Sequence, residues 1–305
     1  MRGECESNCL NLVKDAVFCR DGQPLKHPLT HKSYVDVSKD EFERDKMLFI
    51  NSECRRSYFG LLEKDRDEFE NILRIAQPNA EASKFPDFVF ENGFIEHFQI
   101  TSSLLTRKGA THTKKEREFF RKVDVEKNKI ECEWNQTPSF DRVRSASWSC
   151  SNPTHSHKFL INSFKNNWEH HMKSYKKYTG LKEIGIFMVE YPEFALAMHE
   201  NVYHNWIDGM SHGDMREQET FKDYRLSRDK TLLEYIYEFR DSIKYVIFVN
   251  YKRFEVIQTK NIPYLISIIP WDYVIYPLHV ITSSSLYNIS VPGDLNQNEE
   301  TNSPS

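Results

Sequence analysis

Glycine is scarce in this chain, 10 of 305 residues, and its distribution excludes two large function classes. No two glycines stand as Gly-x-Gly and none precedes Lys-Ser or Lys-Thr, so there is neither a dinucleotide-binding fingerprint nor a phosphate-cradling P-loop. Gly-x-Ser-x-Gly is also missing, which removes the nucleophile-elbow hydrolases. The six cysteines (Cys5, Cys9, Cys19, Cys54, Cys132, Cys150) form no Cys-x-x-Cys pair. A chain of this length can bury a core without disulfide staples, so free thiols in a reducing compartment are expected. Cys5-x3-Cys9 with His27 and His31 matches no standard zinc-finger spacing and reads as a chance grouping. Long hydrophobic runs are missing too. The longest, Tyr264 to Tyr276, is broken by Pro270 and Asp272, and the start, Met1 to Glu6, has no apolar signal-peptide core. No membrane association is expected, and the reading is a soluble, cytoplasmic protein. With 39% hydrophobic and 28% charged residues, the composition is that of a globular chain rather than a disordered one.

Along the chain, residues 1–39 read as an N-terminal arm or short helix, with turn chemistry at Asp21-Gly22, Pro24 and Pro28. From Asp40 to Gln77 there is no proline and one glycine. Phe69, Ile72, Leu73 and Ala76 fall at i, i+3, i+4 and i+7, which predicts one or two helices ending at Pro78. In Phe85 to Thr101, two runs rich in aromatic and β-branched residues flank Asn92-Gly93, the signature of a hairpin with a primed turn. Residues 102–157 combine a basic helix, Thr113 to Trp134, with a polar loop containing Pro138 and Pro153, and read as an insertion. His157 to Tyr178 predicts a helix with Leu160, Ile161, Phe164, Trp168 and Met172 on one face. A strand at Ile184 to Tyr191, a helix at Thr231 to Phe239 and a strand pair over Tyr245 to Thr259 follow. Ile262 to Val280 is expected to pack on the core, and residues 291–305 to be a disordered tail. The order gives an α/β fold, with a mixed central sheet carrying a β-hairpin between helices, as one domain over 40–290.

The hairpin carries the chemistry. With Asn92 and Gly93 as the two turn residues, Glu91 faces Phe94, Val89 faces Glu96 and Asp87 faces Phe98. Asp87 and Glu96 then project from one face as diagonal neighbours, with attachment points about 5–8 Å apart. Two carboxylates so placed repel one another unless a cation, a proton or a base lies between them. The plainer reading is a turn-capping Asp and a solvent-facing edge Glu. Against it stands their position among Phe88, Val89, Phe90, Phe94, Ile95, Phe98 and Ile100, where an unpartnered charge is costly. A placement using His97 and Gln99 shares its face with Phe88 and Ile95.

Pro86-Asp87 followed by Glu96 on the next strand resembles the PD-(D/E)xK nuclease superfamily, whose core is a helix, an acidic hairpin, a helix and further strands. The resemblance implies a restriction-endonuclease-like core and a metal-dependent endonuclease cleaving DNA or RNA. Asp87 and Glu96 would hold Mg²⁺ or Mn²⁺, with Glu70 on the preceding helix as a third ligand. The superfamily's lysine position is Phe98 here. Gln99 could replace it if a β-bulge turned it to the acidic face, and Lys158 or Lys165 could replace it from the next helix. Phe98 also supports an alternative, a non-catalytic nucleic-acid- or protein-binding module on the same core.

Net charge, -4 overall, is unevenly spread. Residues 101–182 hold 17 Lys or Arg against 8 Asp or Glu, a balance of +9, leaving -13 elsewhere. Arg107, Lys108, Lys114, Lys115, Lys158 and Lys165 are the expected phosphate contacts, with DNA the expected partner and homo-oligomerisation left open. A solvated helical face explains such runs as well. Arg107-x4-His112 has the spacing of a ribonuclease motif, but Gly109 opposes the helix it needs. His155-x-His157 and His170-His171 could be metal or phosphate contacts, with surface histidines on a basic helix the plainer reading, while the spacing of His199, His204 and His212 matches neither His-Glu-x-x-His nor a facial triad.

Overall fold

The computed structural model describes residues 4–18, 56–59, 63–81, 84–106, 109–136, 142–203, 215–221, 224–250, 253–267 and 273–290. The sequence readings on the remainder of the 1–39 arm, on His27, His31, His204 and His212, on Arg107 and Lys108, and on the tail from 291 lie outside these residues.

The protein is mixed α/β, with a seven-stranded mixed sheet flanked by helices. The strands, numbered along the chain, lie in the order β1 (Arg56–Phe59), β12 (Arg253–Gln258), β11 (Tyr245–Asn250), β8 (Ile184–Tyr191), β4 (Gly93–Gln99), β3 (Phe88–Phe90) and β2 (Gln77–Pro78). β4, β8 and β11 run parallel, whereas β2, β3 and β4 form an antiparallel meander. Period-2 alternation sorts the side chains. Phe94, Phe98, Phe187, Val189, Val246 and Phe248 enter one core. Ile95, Ile186, Met188, Ile247 and Val249 enter the other. The three parallel strands are buried on both faces, which is why they read as near-continuous apolar runs.

Three helices close these faces. Helix α1 (Glu4–Val17) packs Cys9, Leu10, Val13 and Val17 into one core, and α2 (Glu63–Ile75) adds Phe69, Ile72 and Leu73. The other core is covered by α4 (His157–Lys177) through Leu160, Phe164, Trp168 and Met172. The Ser156 side chain caps α4 by accepting from Phe159 N at 3.2 Å, and Lys176 and Lys177 complement its C-terminal dipole. A second sheet, β10 (Met215–Phe221), β9 (Leu196–Tyr203) and β13 (Tyr273–Pro277), also belongs to this unit, as do α5 (Lys230–Tyr237) and α6 (Ile262–Ser267).

The chain divides into two compact units. The first comprises residues 1–102 and 155–278, and the second residues 103–154 with 279–305. The second contains the long helix α3 (Thr111–Gln136), the two-residue strands β5 (Leu105–Thr106) and β6 (Gly109–Ala110), and a ten-residue antiparallel ribbon of β7 (Arg142–Ser151) and β14 (Ile281–Ser290). Part of the stretch expected to be a polar loop is therefore a strand. Its inner side chains meet α3, with Arg142 over the Trp134 ring at 3.9 Å and Trp148 donating to Glu126. Similarly, β1 lies within the stretch from Asp40 to Gln77 expected to form one or two helices. Among the described residues no helix is long and apolar enough to cross a membrane.

The hairpin forms, but in a different register. Phe90 pairs with Gly93, Val89 with Phe94 and Phe88 with Ile95, so the turn residues are Glu91 and Asn92 and Asp87 stands level with Glu96. Neither Glu91 nor Asn92 has a positive φ, so the turn is not a primed one. Gly93 is needed for a different reason: a Cβ there would lie 2.0 Å from the Ile184 carbonyl oxygen and 2.7 Å from Phe90 Cζ. Gly93→Ala must push the start of β8 away from β4 and is expected to destabilise the protein by about 1–3 kcal/mol, the usual cost of overpacking. Thermal melts check this, and an unchanged midpoint would show that β8 yields freely.

Candidate active site at the end of the acidic hairpin

Because β3 has only three residues, it pairs with Gly93–Ile95 and leaves the second half of β4 without a strand on that side, while β8 continues along the other. Asp87 fills this gap. Its backbone N–H donates to Glu96 Oε2 at 3.0 Å, and its Oδ2 accepts from the backbone N–H of His97 at 2.7 Å. Asn79 steadies the approach, its backbone N–H donating to Asp87 O and its Nδ2 to Pro86 O, each at 2.8 Å. Asp87, one residue before β3, thus stands directly opposite Glu96 of β4 rather than diagonal to it.

Glu96 is buried and turns toward α4, where Oε1 meets Nδ1 of His171 at 2.5 Å. Phe98, two residues on, stacks on the His171 ring with centroids 4.9 Å apart and planes within 17°. Phe98 therefore orients an imidazole against Glu96. Burial, reinforced by the Glu96 charge, pushes the Asp87 carboxyl up to about 6. Burial is also the larger influence on His171 and pulls it down to about 4, against the Asp87 carboxylate, which favours the imidazolium. With Glu96 accepting at both oxygens, His171 carries its proton on Nδ1 and presents Nε2 as an acceptor.

The opposite side of β4 carries His97 and Gln99. Both reach Glu190 Oε2 on β8, from His97 Nε2 at 3.0 Å and Gln99 Nε2 at 2.8 Å. Burial alone would raise Glu190, but the His97 and Gln99 bonds, the His97 charge and the Cys5 bond together hold it below the usual carboxylate range. Cys5 and Cys9 of α1 adjoin this group. Gln99 Nε2 also donates to Cys5 Sγ at 3.0 Å, and burial, with the Glu190 charge, pushes the Cys5 thiol up to about 11 and that of Cys9 higher still.

No protein family, no curated protein and no solved structure matches the chain significantly.

The other expected residues divide as follows. Gln99 stays in unbroken register with Glu190, so no bulge carries it to the Glu96 side. Glu70 is buried on α2, but its carboxylate does not converge with those of Asp87 and Glu96 within 4.8 Å. Lys158 is exposed in the first turn of α4, and Lys165 lies over the Tyr235 ring at 4.7 Å. On α4 it is His171, not a lysine, that reaches Glu96. Lys114 and Lys115 are exposed on α3, in the second unit.

A second buried polar group follows β4. Ser102 Oγ lies 2.8 Å from His155 Nδ1, 2.7 Å from Tyr191 Oη and 3.0 Å from Glu193 Oε2. It has the membership of a serine triad but not its order, because Ser102 and Glu193 face the same imidazole nitrogen, with Glu193 Oε2 3.4 Å from Nδ1. No proton can be relayed through the ring. The group satisfies the buried Glu193 carboxylate, which also accepts from Thr101 and from Ser102 N.

Proposed function

We propose that the protein is a metal-dependent nuclease of the restriction-endonuclease-like type, with its reaction centre at Asp87, Glu96 and His171. The supporting observation is the Glu96–His171 pair beside Asp87: a carboxylate fixes one imidazole nitrogen as donor and leaves the other as a base that is neutral at physiological pH. In the superfamily resembled by Pro86-Asp87 and Glu96, a lysine helps activate the water. Here Phe98 takes the lysine's place and His171 its task, accepting the proton of the attacking water at Nε2.

The donor set fits a hard divalent cation, because Asp87 and Glu96 stand opposite one another with carboxylate oxygens whose mutual repulsion is relieved by positive charge. Mg²⁺ or Mn²⁺ held there would polarise the scissile phosphodiester and stabilise its developing charge. Helix α4, which supplies His171, also exposes Lys158, Lys173, Lys176 and Lys177, groups suited to the phosphate backbone of DNA or RNA.

Incubating the full chain with DNA and RNA, with Mg²⁺, Mn²⁺ or chelator, tests this. Metal-dependent cleavage that disappears in Asp87→Asn supports the reading. If a chelated, uncleaved nucleic acid is instead bound equally by wild type and Asp87→Ala, the non-catalytic module favoured by Phe98 replaces it.

A further inference from the structure

We propose that Cys9, His97 and Glu190, with Cys5 in the fourth place, bind a zinc ion on the side of β4 opposite Glu96. The ligand atoms of Cys9, His97 and Glu190 all lie within 4.8 Å of one another. They come from three elements: Cys9 from α1, His97 from β4, and Glu190 from β8, where it stands level with Gln99. Cys5 precedes Cys9 by one helical turn and so shares its face of α1, with Sγ 3.8 Å from Glu190 Oε2.

The chemistry selects the metal. A thiolate, an imidazole and a carboxylate suit zinc, whereas a site containing sulfur is unsuited to Mg²⁺. Zinc bonds of about 2.3 Å to sulfur and about 2.0–2.1 Å to nitrogen or oxygen place tetrahedral donors about 3.3–3.8 Å apart, so side-chain torsions need draw these atoms together by only about 1 Å. His97 Nε2, Gln99 Nε2 and the Cys5 thiol are already directed at the single oxygen Glu190 Oε2. A cation placed among them substitutes for the protons that now link these groups. On binding, each ligating thiol releases its proton to solvent, and His97 moves its proton from Nε2 to Nδ1 to offer the Nε2 lone pair. Gln99 then remains as an outer hydrogen-bond donor that orients the carboxylate. Cys9 and His97 are buried, while exposed Cys5 and half-buried Glu190 give the ion an entry side.

The inference does not depend on the nuclease reading. Stripping the full chain with chelator and titrating it with Co²⁺, then Zn²⁺, tests it. The expected result is one Co²⁺ per chain with thiolate-to-cobalt charge-transfer absorption, displaced by Zn²⁺. That signal should vanish in Cys9→Ser and His97→Ala, and the affinity should fall about 10-fold or more in Cys5→Ser and in Glu190→Gln, which keeps its hydrogen-bond partners if Cys9→Ser does not fold. Asp87→Asn and Glu96→Gln should keep the signal. A folded wild type with no charge-transfer band, or an undiminished band in both Cys9→Ser and Glu190→Gln, overturns the inference. Nuclease activity without the band removes the zinc site alone, and the band without nuclease activity removes the nuclease alone.

Discussion

Nucleic-acid cleavage by His171→Gln is expected to fall by about 10²–10⁴, the range lost when a positioned general base is removed. Glutamine keeps a polar tip near Glu96 and much of the contact with Phe98, but it cannot accept a proton at neutral pH. The loss should therefore lie in kcat, with KM for the nucleic acid little changed, because the exposed lysines of α4 that would hold the phosphates stay in place. Glu96→Gln should cost at least as much, since Glu96 Oε1 holds the proton on Nδ1 and the same carboxylate would hold the cation. The double variant should be scarcely worse than Glu96→Gln, because His171 acts only through its pairing with Glu96. Additive losses would mean that Glu96 and His171 act separately, and a folded His171→Gln with full activity would remove His171 from the reaction.

The sheet's centre was legible because strands buried on both faces leave a local signal. Ile184–Tyr191 is recovered at both ends, and Tyr245–Thr259 as a strand pair. The helix from His157 is recovered through its apolar stripe. The hairpin register was not legible. Asn-Gly is turn chemistry when glycine is used for its dihedral freedom, but Gly93 is used for its missing Cβ against Ile184, a neighbour far along the chain. The ribbon strand β7 was missed because its inner positions hold Arg142, Arg144, Ala146, Trp148 and Cys150 and its outer positions Val143 and serines, so little apolar alternation shows.

At the site, Asp87 and Glu96 were visible as charges in apolar strands. Glu190 breaks the run Ile184–Tyr191 in the same way and could have been noticed on that rule. Its partners could not, since only the parallel pairing of β4 with β8 brings it level with Gln99. Likewise the i, i+4 spacing of Cys5 and Cys9 was legible, but not that α1 lays them against His97.

Asp87→Asn is expected to be more stable than wild type at pH 8 by about 2–3 kcal/mol when no divalent cation is present. The Asp87 carboxyl is pushed from 3.8 up to about 6 in the folded protein. Each unit corresponds to about 1.4 kcal/mol, and partial exposure trims the total. Between those two values the folded state holds a proton that the unfolded state has lost, so wild-type stability is full below about pH 4 and declines as pH rises through about 6. Asparagine does not titrate, and its carbonyl oxygen can still accept the His97 N–H, so the variant lacks this decline. Melts at pH 4, 6 and 8 should show midpoints that nearly coincide at the lowest pH and separate by several degrees at the highest. Adding Mg²⁺ or Mn²⁺ should stabilise wild type and close the gap at pH 8, because a cation between Asp87 and Glu96 favours the ionised pair, while the variant should respond little. A gap that is absent at every pH would mean that neither burial nor the Glu96 charge raises the Asp87 carboxyl. A gap that opens but ignores divalent cations would confirm the strain while removing the cation from the hairpin, and with it the reason for keeping two acids at the end of a buried strand.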